Sequence, residues 1–368
     1  MFRRKKNSRV FVVTFLLVSL LLSYSSMRHL RAQQQQSPTP PLQRIRRVKG
    51  EQPKSPTTRP PQSQSPTGDE DVVRVDTELA SILLTAVDKD KRFITSLRKE
   101  DVRVLEDNVP QDVQTFARET DLPLTLAILI DTSRSEERPL PDEKIAARTF
   151  IDSVIRPEKD SAAVISFTGE AVLQQTLTND LGKLRTASER VTIEIPKGDP
   201  GCEQIFTVDQ DPRCWTGIWD AVWVTVNEVL SQTPEHTRRA IILLTDGDDT
   251  SSTTKKQEAI DFAVKNNIVI YSIGIGDPSE FKIDSKALRN VSEKTGGRAF
   301  FPADKAELDA AFAQIQQELR SQYLITYQPA NRKRDGSYRQ VKLEIVNPEL
   351  RKQKLRLLYR QGYYAKKG

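Results

Sequence analysis

Three places in this 368-residue chain put oxygen-bearing side chains where a hard cation could use them. The first is "TLAILIDTSRSEE", in which an apolar run stops at Asp131 and hydroxyls follow at Ser133 and Ser135. The second is Thr216 in "WTGIWDAV", and the third is Thr245-Asp246-Gly247 after the apolar "AIILL". Mg²⁺ takes about six oxygens and usually keeps several waters. Ser133, Ser135 and Thr216 could ligate it through hydroxyls, while Asp131 and Asp246 hold coordinated waters; Ca²⁺ and Mn²⁺ are the other ions of this type. Mostly neutral direct ligands leave the ion under-compensated, so an open position would attract a carboxylate from outside. Such a site binds and needs no bond chemistry. The plainer reading is a helix cap, since Ser and Asp commonly cap helix starts. Each signal alone fits that reading, and the ordered set of three favours the ion.

Other chemistries find less support. "SIGIGDP" has one Gly-x-Gly without the third glycine of a dinucleotide fingerprint. There is neither a G-x-S-x-G elbow nor a P-loop. A metal-dependent phosphohydrolase built on the same carboxylates lacks an evident general base and a second-metal cluster. His236, in "SQTPEHTRR", reads as a solvated loop residue. Trp215 and Trp219 read as core residues beside Thr216. The two cysteines, Cys202 and Cys214, suggest one disulfide closing a small loop in an oxidising compartment, a loop contributing about 3 kcal/mol in the chain-entropy model. With so few Cys and His they cannot build a zinc site. Glu203, Asp209 and Asp211 between them lack the spacing of a calcium loop.

The elements that must hold the three places follow an alternating pattern. Continuous apolar strands ("PLTLAILID", "SAAVISFTG", "RAIILLTDG", "IVIYSIGIGD") alternate with helical stretches from "PDEKIAARTFIDSVI" to "DKAELDAAFAQIQQELRSQ". This predicts an α/β fold over 121–321, a doubly wound, mostly parallel sheet with helices on both faces. In such sheets ligands sit beyond the carboxyl ends of the strands, where all three places fall. Before it, 71–120 alternates β-branched and polar residues as a small β module, and 322–368 returns to strands with Asp335-Gly336 as a hairpin turn. The two strand blocks are expected to join in one β layer beside the α/β domain.

The amino end has a basic start, "MFRRKKNSR", and an uncharged run of 15 residues, Val10–Tyr24. This is shorter than the about 20 residues of a membrane span and reads as an export signal over 1–32, or as an uncleaved anchor that would tether the chain to a membrane. Residues 33–70, rich in Pro, Gln, Ser and Thr, read as a flexible spacer with almost nothing to form a core. The body is therefore expected in the periplasm, the cell envelope or outside the cell. The net charge of +6 does not call for nucleic acid. Residues 331–368 hold twelve Lys/Arg against three Asp/Glu, read as solvated strand faces.

The Asp-x-Ser-x-Ser loop, the later Thr and the later Asp together resemble the metal-ion-dependent adhesion site of von Willebrand factor A (VWA) domains. Across about 71–365 the chain is also similar to the VWFA-related family described from acidobacteria, through "VDTELASILLTAVDKDKRFITSLRKEDVRVLEDNVPQDVQTF" and "LRSQYLITYQP…QGYYA". The resemblance implies a VWA (Rossmann-like) fold, metal ligation by Asp131, Ser133, Ser135, Thr216 and Asp246, and a non-enzymatic protein that captures an Asp or Glu carboxylate on a protein partner. A structural envelope protein with a vestigial site is the remaining alternative. Two departures stand out: Arg134 where glycine is common, and Glu136 where an apolar residue is usual. Arg134 is expected to reach Asp248 or Asp249. The stretch "PKGDPGCEQIFTVDQDPRC" reads as an insertion before Thr216.

Overall fold

The structure, a computed structural model, describes residues 43–45, 79–90, 92–118, 122–193, 216–234, 237–276 and 282–367. From the amino end come β1 (Gln43–Ile45), β2 (Ala80–Val87), β3 (Val102–Glu106), β4 (Val109–Gln111) and β5 (Val113–Arg118). The alternating block runs β6 (Leu124–Asp131), α1 (Leu140–Val154), β7 (Ser161–Phe167), β8 (Ala171–Thr178), α2 (Leu181–Arg190) and α3 (Ile218–Val224). It continues with β9 (Arg238–Thr245), α4 (Lys256–Lys265), β10 (Ile268–Gly274), α5 (Ser285–Thr295), β11 (Ala299–Phe300) and α6 (Lys305–Arg320). The chain then forms β12 (Tyr323–Tyr327), β13 (Tyr338–Ile345), α7 (Pro348–Lys352), β14 (Arg356–Leu358) and β15 (Gly362–Tyr364).

Strand β6 is the axis of a seven-stranded sheet of order β1-β8-β7-β6-β9-β10-β11. Strands β7, β6, β9, β10 and β11 are parallel. All of β6 is buried, because helices cover both faces, and this is why its sequence is continuously apolar. Leu126, Ile128 and Ile130 pack with α1, α2 and α6, whereas Ala127 and Leu129 point the other way, into α3, α4 and α5. The chain leaves β6 for β7 on one side and later returns as β9 on the other. The carboxyl ends of β6 and β9 therefore flank the switch point, where an open α/β sheet leaves a crevice.

The sheet departs from expectation at one edge. Strand β8 and helix α2 were absent from the sequence pattern, because β8 buries Ala171 to Gln174 together and then turns half-exposed, matching neither period. It folds back antiparallel on β7. Asp180 caps α2, accepting from the amides of Gly182 and Lys183 at 2.9 and 3.2 Å. Helix α3 continues as a π-helix over Thr225–Leu230 and is buried on nearly every side. The spacer expected over 33–70 contains β1, which pairs antiparallel with β8. It holds because Ile45 adds an apolar side chain, 5% exposed, to the core. The export signal and the rest of the spacer, Cys202, Cys214, Trp215, His236 and the acids Glu203, Asp209 and Asp211 lie outside the described residues. Among the described residues no helix is long and apolar enough to cross a membrane.

The two flanking strand blocks do join, but as two sheets rather than one layer: β14-β2-β12-β5 and β15-β13-β3-β4. Each sheet takes strands from both ends of the chain. Their inner faces share one core, with Ile82, Leu84 and Ile325 from one sheet and Val104, Val341 and Leu343 from the other. Within it Tyr327 and Tyr363 both donate to Glu106 Oε2, at 3.0 and 2.8 Å. The sandwich meets the α/β block at the ends of α4 and α5, far from the carboxyl ends of β6 and β9. Gly296 closes α5 at φ 93°, and a Cβ there would lie 2.7 Å from the Arg360 nitrogen, so glycine is required on both counts. Lys265 Nζ stands 4.6 Å from the Tyr364 ring centroid across this seam. A cavity of about 420 Å³ lies here, lined by Lys265, Arg332, Lys333, Arg334, Arg360 and Lys366 among others, so part of the C-terminal basic excess is gathered rather than spread over strand faces.

A second buried node ties the sheet to its helices. The Asp160 carboxylate accepts from the Leu124 amide at 2.9 Å, from Arg156 Nε at 3.0 Å and from Arg320 Nη2 at 2.5 Å. Burial alone would raise its pKa, but these donors bring it down to about 2. A depressed acid stabilises the fold above its unfolded value near 4, and the gain is lost as pH falls towards 2. Asp160→Asn is expected to cost about 3 kcal/mol at neutral pH. In chemical denaturation the variant should also lose less stability than wild type between about pH 4 and pH 2.

Candidate functional site

Asp131 is the last residue of β6 and is fully buried. Its Oδ1 accepts from the Ser133 amide at 2.9 Å, and its Oδ2 accepts from the Thr245 hydroxyl at 2.6 Å. The chain then bends into a 3₁₀ turn, Arg134–Glu136. This brings the Ser133 and Ser135 hydroxyls to 3.0 Å from each other. The Ser135 hydroxyl donates to Asp246, which follows β9 directly. Gly247 takes φ 86°, and a Cβ there would meet Leu288 Cγ at 2.9 Å, so the turn that aims Asp246 depends on glycine. The Gly247 amide returns to the Thr245 hydroxyl at 3.1 Å.

Thr216, 4% exposed, reaches this region through the loop that continues from Asp246. Its carbonyl accepts from the amides of Thr250 and Ser251 at 3.0 and 3.1 Å, and its own amide donates to the Thr250 hydroxyl at 3.0 Å. Gly217 stands at the cap position of α3 and has no side chain to offer. Asp249 substitutes in space: its Oδ1 accepts from the Ile218 amide at 2.8 Å and from the Ser252 hydroxyl at 2.5 Å. The expectation that Arg134 would pair with Asp248 or Asp249 therefore fails. Asp249 is occupied by the helix, and Arg134 points out, exposed, with no ion pair among the described residues. Trp219 is 5% exposed and packs in the core, with Lys256 Nζ 5.8 Å from its ring centroid.

Two site residues were missed by the sequence reading. Glu136 and Glu143 are both fully buried. One carboxylate oxygen of Glu136 lies with oxygens of Asp131 and Asp246 in a group whose members are all within 4.8 Å of one another. Among the described residues no amide, hydroxyl or basic side chain donates to Glu136 or Glu143; the two carboxyls face and hydrogen-bond each other. A signal existed. Glu143 stands on the buried stripe of α1 with Ala146, Ala147, Phe150, Ile151 and Val154, and an acid at an apolar stripe position asks for a reason.

Four buried carboxyl groups with no Lys, Arg or His paired to them among the described residues are electrostatically unsatisfied. Two full negative charges 4.8 Å apart repel by about 3 kcal/mol at an effective dielectric near 20. Without an ion the chain holds protons instead. Burial, then the charge of Asp246, lifts Asp131 to about 7 against the hydrogen bonds from Thr245 and Ser133. Burial first raises Asp246, Glu136 and Glu143 as well. Three convergent carboxylates with serine hydroxyls beside them are the donor set of a hard, oxygen-seeking cation.

The sequence model of the von Willebrand factor type A domain matches residues 125–314, and the chain belongs to that family. Its mostly parallel sheet, wrapped on both faces, is the Rossmann-like α/β architecture that the sequence pattern predicts. Several solved structures are similar at low identity. They include a conserved hypothetical protein, BatB, from Bacteroides thetaiotaomicron (19% identity over 54% of this chain and 100% of that one, TM-score 0.42). Another is a von Willebrand factor type A protein from Catenulispora acidiphila (15%, 78% and 73%, TM-score 0.45). A third is proximal thread matrix protein 1 from the mussel byssus, described with a zinc-occupied MIDAS motif (18%, 59% and 50%, TM-score 0.43). No curated protein matches the chain.

The capping role of Asp249 is directly testable. Asp249→Ala removes the acceptor at the start of α3 and should lower stability by about 1 to 2 kcal/mol in denaturant unfolding, with the slope unchanged.

Proposed function

We propose that this chain is an exported, non-enzymatic binding module that holds a divalent cation with Asp131, Ser133, Ser135, Thr216 and Asp246 and uses it to capture an acidic group on a protein partner. The observation that carries the reading is the convergence of buried Asp131 and Asp246 on the Ser133–Ser135 hydroxyls with no cation among the described residues to balance them. Mg²⁺, Ca²⁺ and Mn²⁺ all suit oxygen donors of this kind. Ser133 and Ser135, 7% and 8% exposed, are the least covered of these five residues and mark the side from which a partner oxygen would arrive. Arg134, exposed beside them, would receive the same acidic group and raise the on-rate. Support for export is the basic, then apolar, amino end; a disulfide between Cys202 and Cys214 would suit that compartment.

A phosphohydrolase on the same residues gains carboxylates in Glu136 and Glu143. Both are sealed from solvent, so neither can serve as base to an incoming water. Binding without catalysis is the better fit.

Calorimetry with Mg²⁺, Ca²⁺ and Mn²⁺ should give one site in wild type and none in Asp131→Ala; equal affinities in the two proteins would sink the site. Thr245→Val deletes the donor that orients Asp131 and should weaken the ion by about tenfold or more. A partner recovered from envelope extract should be released by chelator, and more readily at high salt.

A further inference from the structure

The cation site reads as built from two carboxylates and three hydroxyls, yet a third carboxylate points into it. We propose that Glu136 is an additional ligand of the ion, entering from the protein side, and that it makes this site favour an ion accepting several carboxylates, Ca²⁺ ahead of Mg²⁺. This rests on the metal-site reading above and deepens it.

The position of Glu136 is the first ground. It closes the 3₁₀ turn directly after Ser135, and it is fully buried. Neither of its oxygens receives an amide, hydroxyl or basic donor among the described residues, and one lies within 4.8 Å of oxygens of Asp131 and Asp246. The acid facing it from behind, Glu143, is equally buried and is its hydrogen-bond partner. Among the described residues Glu136 meets no amide, hydroxyl or basic side chain, only the equally buried carboxyl of Glu143, an acid like itself. A cation between Glu136, Asp131 and Asp246 satisfies all three carboxylates at once.

Ion choice follows from ligand count. Mg²⁺ keeps a tight octahedron, holds its waters and usually takes one or two carboxylates, whereas Ca²⁺ accepts six to eight oxygens and several carboxylates at longer range. With Glu136 the residues offered are three acids and the hydroxyls of Ser133, Ser135 and Thr216. That set is larger and more anionic than Mg²⁺ ordinarily uses. Because Glu136 approaches from inside, the outer position beside the serines stays free for a partner oxygen.

The test compares wild type, Glu136→Gln, Glu136→Met and Asp131→Ala by calorimetry with Ca²⁺ and with Mg²⁺, and by thermal melting in chelator. Wild type should bind Ca²⁺ roughly tenfold or more tighter than Mg²⁺. Glu136→Gln should lose roughly tenfold or more in Ca²⁺ affinity and less in Mg²⁺, narrowing the preference. In chelator, Glu136→Met should melt above wild type, because it removes one of several buried acids crowded together with no basic partner among the described residues. Unchanged affinities in both Glu136 variants, with binding lost in Asp131→Ala, would overturn this inference and leave the site reading standing. No ion binding by wild type would overturn both. Tb³⁺ luminescence on wild type alone, titrated with Ca²⁺ or Mg²⁺ as competitor, reads the preference should the variants fail to fold, and more effective displacement by Mg²⁺ would refute the ion choice.

Discussion

Carboxylates with nothing to balance them govern the upper end of this molecule. Asp131, Glu136 and Asp246 converge within 4.8 Å, Glu143 stands behind them, and all four are closed off from water. Charges in that setting must be protonated, paired or bound to a metal, since leaving them bare costs several kcal/mol each. The surrounding architecture serves to hold this arrangement. The rigid parallel pair β6–β9 sets the separation of Asp131 and Asp246. Thr245, locked at the end of β9, gives its hydroxyl to Asp131, and the Gly247 turn aims the next carboxylate. The charge repulsion is therefore carried by strands buried on both faces, the least deformable elements available.

Several other buried carboxylates take donors from within the protein, which sets the site apart. Asp160 has two arginines and a backbone amide, and its acid strength rises accordingly. Glu106 takes the hydroxyls of Tyr327 and Tyr363 in the core of the sandwich. Asp249 takes a helix end and a serine. Against these, Asp131, Glu136, Glu143 and Asp246 crowd one another with no basic side chain among the described residues to balance them. That contrast, rather than the count of acids, separates a binding site from a structural network.

The β-sandwich at the other pole gives the α/β block a second body made from both ends of the chain. Since α6 leads into β12 through Gln322, and β2 is held between β12 and β14, the flanks cannot separate without breaking ladder hydrogen bonds. Their seam with α4 and α5 is basic and lies away from the acidic end. The molecule thus gathers its buried acids at one end of the α/β sheet and a cluster of basic side chains at the other.

Much of this was legible in the residues. The apolar runs ending in Asp131 and Thr245-Asp246 required strands buried on both faces, and the order of Asp, Ser, Ser, Thr and Asp followed from their places after successive elements. The flanking strand blocks were readable from period-two alternation. The sequence could not reveal that β8 turns back antiparallel, because its burial follows neither period, or that the flanks form two sheets, because pairing between residues over 200 positions apart leaves no local trace. Nor could it say what Glu136 and Glu143 face. A local pattern registers an acid where an apolar residue belongs; only the folded turn after β6 brings Glu136 to Asp131 and Asp246, and only the packing of α1 sets Glu143 behind it, because charge repulsion and metal affinity depend on distance through space, not along the chain.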